Sequence, residues 1–212
     1  MSDDPFADII NQLLQGLVTQ LNGEIGSAIR GAGYDPYQNV TSGSASIGVG
    51  TAHYSVTDLT GVASVQIQDM VVSNLTPSGD NLSGQLNFHA VLNSSLNANA
   101  EGDLHVVFLD PSISGSLRID GPSIAGTAQF QASVANGKLC LNTVSNLNAQ
   151  FNYSNASISI NGLGPLNYLL GPIENLILDA AKGAISGLIS SQVNSILSDQ
   201  VGALLPQCVP FP

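Results

Sequence analysis

"LILDAAKGAISGLISSQVNSIL" (residues 176–197) reads as a helix too apolar for a surface position and too interrupted for a membrane. On a 3.6-residue wheel, Ile177, Ala181, Ala184 and Leu188 form one row, and Leu178, Ile185, Ile189 and Ile196 form a second beside it. A helix lying on one sheet needs an apolar stripe only about 100° wide, whereas this arc approaches half the circumference. What covers the helix therefore decides the fold. Asp179, Lys182, Gln192 and Asn194 interrupt the run, so a membrane-spanning helix is rejected. Gly183 and Gly187 form G-x-x-x-G, which outside lipid is expected to permit close packing.

Gly162, Gly164 and Pro165 lead into this helix and Gly171-Pro172 breaks or kinks its first turn. Gly202 and Pro206 end it. The helical segment is expected over about 165–204, its main run about 42 Å long. A second helix is expected over about 5–30. Asp4 is a capping residue, Pro5 suits the first position, Asp8 complements the N-terminal dipole and Arg30 the last turn. Ile10, Leu14, Leu17, Leu21 and Ile25 recur on one face, flanked by Ile9, Leu13 and Val18.

Between the helices, over about 44–160, the period changes to two. Leu86, Phe88, Ala90 and Leu92 alternate with Asn87, His89 and Val91; Leu104, Val106 and Phe108 alternate with His105, Val107 and Leu109. Ile113, Leu117 and Ile119, and Ala128, Phe130, Ala132 and Val134, repeat the pattern. Turn residues fall at "PSGDN" (77–81), "AEGD" (100–103), "DPS" (110–112), "DGPS" (120–123) and "ANGK" (135–138), which predicts an antiparallel meander of long, curved hairpins. No composition shift divides the chain, so residues 1–212 read as a single α+β domain: helix, antiparallel sheet, helix.

Four basic residues (Arg30, Arg118, Lys138, Lys182) are scattered against fifteen acidic ones, giving a formal charge of −11. That excludes a nucleic-acid footprint and a basic membrane patch. The only cysteines, Cys140 and Cys208, lack zinc or redox spacing; a disulfide is the expected state and two buried free thiols the alternative. With the sequons at Asn39, Asn81, Asn93, Asn152 and Asn155, this points to a secreted, extracellular glycoprotein; "MSDDPFAD" (1–8) has no signal-peptide pattern, so a signal peptide either cleaved or omitted is expected. Asn74 also begins a sequon, followed by Pro77.

Three stretches carry a resemblance: "IINQLLQGLVTQLNGEIGSAIRGAGYDPY" (9–37), "VASVQIQDMVVSNLT" (62–76) and "INGLGPLNYLLGPIENLILDAAKGAISGLISSQVNSIL" (160–197). In this order they resemble the tubular lipid-binding superfamily, and within it mite group-seven allergens and arthropod juvenile-hormone-binding and takeout proteins. The resemblance implies a long curved antiparallel sheet wrapped around the long C-terminal helix, with the N-terminal amphipathic helix beside it and an apolar groove or tunnel for a lipid-like molecule. It departs at the cysteines, which hormone-binding and takeout relatives carry near the N-terminus.

No nucleophile elbow or phosphate loop occurs, and "GPSIAG" (121–126) misses the former by one residue. Asp103 and His105 share a strand face without a nucleophile, and His89 and His105 lie opposite apolar rows, facing solvent. No catalytic residue and no metal site is expected. Candidate ligand-lining residues are Leu13, Leu17, Leu21 and Ile25 on the first helix, Phe88, Phe108, Leu117 and Phe130 on the sheet, and Ile177, Ile185, Leu188 and Ile189 on the last helix. With no tryptophan and six phenylalanines, such walls suit an aliphatic chain or isoprenoid. The sequence thus reads as a non-enzymatic carrier or sequestering protein for a small hydrophobic ligand (fatty acid, isoprenoid or carotenoid pigment). It needs no cofactor, with lipid or carotenoid as the candidate bound group. A surface-active or structural secretion and a microbial-lipid-binding defence protein are the alternatives, and pairing of two copies in a homo-oligomer would also cover the wide helix arc.

Overall fold

The computed structural model describes residues 5–106 and 109–210. Helix α1 (Pro5–Gly31) starts on Pro5, with Asp8 in its first turn and Arg30 in its last. One five-stranded antiparallel sheet has the order β1 (Tyr37–Ser46), β2 (Thr51–Thr60), β5 (Leu96–His105), β6 (Ser112–Asp120), β9 (Asn155–Asn161). The other has the order β3 (Val65–Ser78), β4 (Asn81–Leu92), β7 (Ser123–Ala135), β8 (Lys138–Asn152), β10 (Gln207–Pro210). Helices α2 (Leu170–Leu188) and α3 (Asn194–Leu204) are joined by a π-helical turn, Ile189–Val193, into one long C-terminal helix.

Strand order explains the shape. β2 runs into β3, β4 into β5, β6 into β7 and β8 into β9, and strands that are neighbours in one sheet continue as neighbours in the other. These pairs are therefore four long strands, each creased at the same level, and the two sheets are the arms of one bent meander. "DGPS" (120–123) lies at this crease and not in a hairpin; Gly and Pro there bend the chain without reversing it.

Groups that lose ladder partners at the crease are satisfied across it, as buried backbone requires. The Leu92 N–H donates to the Pro122 carbonyl (3.0 Å), Asn93 N–H to Ser64 (3.1 Å) and Ser154 N–H to Asp120 (3.0 Å). The Asp35 carboxylate accepts from Ala63 N–H at 2.6 Å and Gly61 N–H at 3.3 Å. Asp120 Oδ1 accepts from Ser95 Oγ (2.6 Å) and Arg118 Nε (2.7 Å). The Ser95 hydroxyl, with Arg118 adding to it against the opposing cost of desolvation, holds Asp120 below its ordinary carboxylate value. A lowered folded-state value means the unfolded chain binds the proton more tightly, so this contribution is present above the ordinary carboxylate value and lost as pH falls below it, through the lowered folded-state value. Asp120→Asn should therefore be less stable than the parent at neutral pH, and the gap should close in acid. Urea midpoints across pH check this.

Helix α1 lies along β3, where Asn22 replaces a missing neighbour strand: its Nδ2 donates to the Ile67 carbonyl and its Oδ1 accepts from the Ile67 N–H, both 2.8 Å. Asn11 Oδ1 likewise accepts from Val72 N–H at 2.9 Å. These amides serve β3 beside its two register shifts. Asn22→Ala leaves both Ile67 groups unpaired and should cost about 2 kcal/mol, with faster amide exchange at Ile67 as the specific sign.

The wide arc of the C-terminal helix has an intramolecular explanation. α2 packs against β9, β1 and β2, so the first sheet curls into a half-barrel whose two edge strands both meet the helix. α3 packs on β8 and beside α1. The deepest residues fall four apart throughout: Ile173, Ile177, Ala181, Ile185, Ile189, Val193, Leu197 and Val201. At 3.6 residues per turn such a row drifts about 40° per step, so the buried face winds around the helix as it passes from one arm to the other. The two straight rows read from residues 176–197 are corrected by this: Ala184, Leu178 and Leu188 flank the deepest row and are only half-buried. The π turn lies where the helix leaves one arm for the other.

Several boundaries differ from the sequence reading. The sheet starts at Tyr37, not 44, because β1 carries small and hydroxyl side chains with no fully buried residue. "AEGD" (100–103) lies inside β5, where Gly102 is an inward position at which a Cβ would collide with the His53 carbonyl of β2. β5 ends at His105, and Val107 and Phe108 of the alternation expected beyond it lie outside the described residues. Gly183 and Gly187 are exposed with no neighbouring atoms over them, so G-x-x-x-G serves no packing here. The capping expectation at Asp4 lies outside the described residues.

Candidate apolar ligand site

Aliphatic side chains from every layer meet between the sheet and the helices, and among the described residues no polar or charged residue is buried. Leu13, Leu17, Leu21 and Ile25 of α1, Phe88, Leu117 and Phe130 of the sheet, and Ile177, Ile185 and Ile189 of the C-terminal helix belong to one continuous buried cluster. Leu188 is half-buried against it. Phe108 lies outside the described residues.

The two phenylalanines buried among the described residues sit on glycines. Phe88 is directly opposite Gly126 and Phe130 directly opposite Gly84, in the register of β4 and β7. A Cβ on Gly126 would fall 2.8 Å from the Phe88 ring, and one on Gly84 2.9 Å from the Phe130 ring. The rings thus fill space that the missing side chains leave on the concave face.

Three cavities bear on a ligand. At the crease, where α1, α2 and the π turn converge, Ile29, Tyr34, Val62, Leu188, Ile189, Gln192, Val193 and Ile196 enclose about 10 Å³, room for about one water. Beside it in sequence, Asn194 Oδ1 is buried without a hydrogen-bond partner. At the free end of the half-barrel, Leu109, Pro111, Leu163, Pro165 and Leu166, with Asp110, Gly162 and Gly164, line an open cleft of about 270 Å³. On the second sheet, a trough of about 410 Å³ is lined mainly by amides and hydroxyls, including Asn74, Gln85, Gln129 and Ser145, which follow one another in register across four strands. Its polar lining does not suit an apolar ligand.

The titratable groups singled out in the sequence are dispersed on the outer face. His105 Nδ1 lies 2.9 Å from Asp110, not on Asp103, which accepts from Ser112 Oγ at 2.9 Å. The His53 and His105 rings meet edge to face at 5.2 Å. Among the described residues, no three His, Cys, Asp or Glu side chains converge on a metal position. Cys140 and Cys208 form the disulfide, linking opposed residues of β8 and β10. The sequon residues Asn39, Asn81, Asn93, Asn152 and Asn155 are all exposed.

No family model and no curated protein sequence matches the chain. Solved structures similar to it include the following two. Takeout 1 of Epiphyas postvittana matches with a TM-score of 0.38 and 12% identity over 90% of this chain and 91% of that one. Lipopolysaccharide binding protein matches with a TM-score of 0.36 and 17% identity over 87% of this chain. The chain spans 40% of the length of that second protein.

The sequence reading missed Asn194 as an interior polar group. The helix pattern carried no signal for it, since its neighbours one turn away include Ser190, Ser191 and Ser198.

Proposed function

We propose that the protein is a secreted, non-enzymatic carrier or sequestering protein for a small hydrophobic molecule, an aliphatic chain, isoprenoid or carotenoid. The observation that carries this reading is the interior itself: a continuous aliphatic core between curved sheet and helices, with no buried polar residue among the described ones and an apolar cleft opening at one end. Affinity would come from water exclusion, at about 25 cal/mol per Å² of apolar surface buried. The cleft is slightly below the roughly 300 Å³ at which pockets for drug-sized ligands begin. A longer cargo would therefore enter by displacing α2 from the half-barrel. The disulfide supports an oxidising, extracellular compartment.

The test is native mass spectrometry with organic extraction and an absorption spectrum, on protein purified from its own source. A stoichiometric lipid or coloured polyene is the expected result. An empty protein that takes up neither fatty acids nor retinoids would overturn the carrier reading. It would favour a surface-active role, which the small volume of the enclosed void at the crease also supports.

A further inference from the structure

Of the five large apolar side chains left exposed among the described residues, Val49 (42%), Leu109 (47%) and Tyr168 (65%) lie at the same end of the molecule. They come from three separate segments. Val49 is in the β1–β2 turn, closed by Ile47 N–H donating to the Gly50 carbonyl at 3.0 Å. That turn rests on the neighbouring hairpin: Thr51 pairs with His105, and a side chain on Gly50 would collide with the His105 carbonyl. Leu109 is tied to Val106 by backbone hydrogen bonds in both directions, 3.0 and 2.7 Å. Leu109 and Pro111 then form one wall of the 270 Å³ cleft, facing Leu163, Pro165 and Leu166, and Tyr168 follows in the same short 3-10 segment, Gly164–Leu169.

We infer that this end of the half-barrel docks on a zwitterionic lipid surface, with Val49, Leu109 and Tyr168 entering the interface. Charge selects the occupant: none of the four basic residues lies in these segments, Asp103 and Asp110 flank them, and the chain carries −11, so an anionic surface is repelled. Size excludes a second copy of the chain, because three side chains fall far short of the about 800 Å² per partner of a stable protein interface. A tyrosine ring, apolar in body and polar at its tip, suits the headgroup level. Docking does not depend on the carrier reading, although a carrier would exchange cargo here, at the mouth of the cleft.

The chain contains no tryptophan, so Tyr168→Trp and, at the β3–β4 turn on the opposite arm, Asp80→Trp each create a single emitter. Both are mixed, without added cargo, with phosphatidylcholine vesicles carrying brominated acyl chains and with phosphatidylserine-rich vesicles. The expected result is a blue-shifted, bromine-quenched Tyr168→Trp emission in phosphatidylcholine and an unchanged Asp80→Trp. Val49→Asp with Leu109→Asp, at exposed positions that leave thermal unfolding unaltered, should lower vesicle partitioning by about tenfold or more. Equal quenching at both ends, no association with phosphatidylcholine, association only with phosphatidylserine, or a vesicle-free dimer that the Asp variant dissolves would each overturn the inference. Cargo extraction reads the carrier function separately.

Discussion

Phe130→Ala should lower the unfolding free energy by about 3–5 kcal/mol. The ring is 1% exposed and stands over Gly84. Cost depends on how far a site can collapse into the hole left behind, and glycine has no side chain to move in. A collapse of β4 toward β7 is also blocked, since the two strands are already paired in register on either side of this position. Chemical denaturation with an unchanged slope measures the loss. The hole is apolar, so benzene-sized ligands should raise the variant's melting temperature more than the parent's. A cost below about 1 kcal/mol, outside the range for such truncations, would mean that the ring is not packed as described.

Replacing both cysteines by serine should cost about 4 kcal/mol in the chain-entropy model, because Cys140 and Cys208 close a loop of sequence separation 68. The bond also fixes β10 to β8, and β10 sets the end of α3 against α1, where Gln207 Nε2 donates to Gln20 Oε1 at 3.2 Å. Reduction of the parent protein should reproduce the variant's urea midpoint. If the proposed carrier function holds, fluorescent fatty-acid probes should enter the reduced form faster, since the C-terminal helix then loses its anchor to the sheet. An unchanged midpoint after complete reduction would remove the disulfide from the account of stability.

Helix α1 was legible almost to the residue because each signal agreed: Pro5 at the start, Asp8 and Arg30 at the ends, and a straight apolar row between them. Strand faces were legible for the same reason, and Phe88, Leu117 and Phe130 point inward as their alternation requires. The crease was not. Gly121-Pro122 carries the residues of a reversal, and only the identity of the neighbouring strands in both arms shows that the chain bends and continues. The winding row of the C-terminal helix was missed because a wheel presumes a straight stripe, whereas the cover changes from the half-barrel to α1 and β8 along its length. β1 was placed too late since Thr41, Gly43 and Ala45 are too small to announce a buried face. The pairing of each aromatic ring with a glycine needs the register of β4 against β7, which composition does not contain.

The crease leaves two arms that cannot be separated as peptides. The chain visits the first sheet in β1–β2, the second in β3–β4, the first in β5–β6, the second in β7–β8, and then each once more in β9 and β10. Neither arm is a contiguous fragment, and each sheet closes only when segments far apart in sequence have met. Such a topology has a high contact order, which slows folding and ties both arms to a single cooperative transition. Cutting the chain near residue 106 should therefore yield two unfolded pieces that regain structure only on mixing, although the finished molecule has two arms.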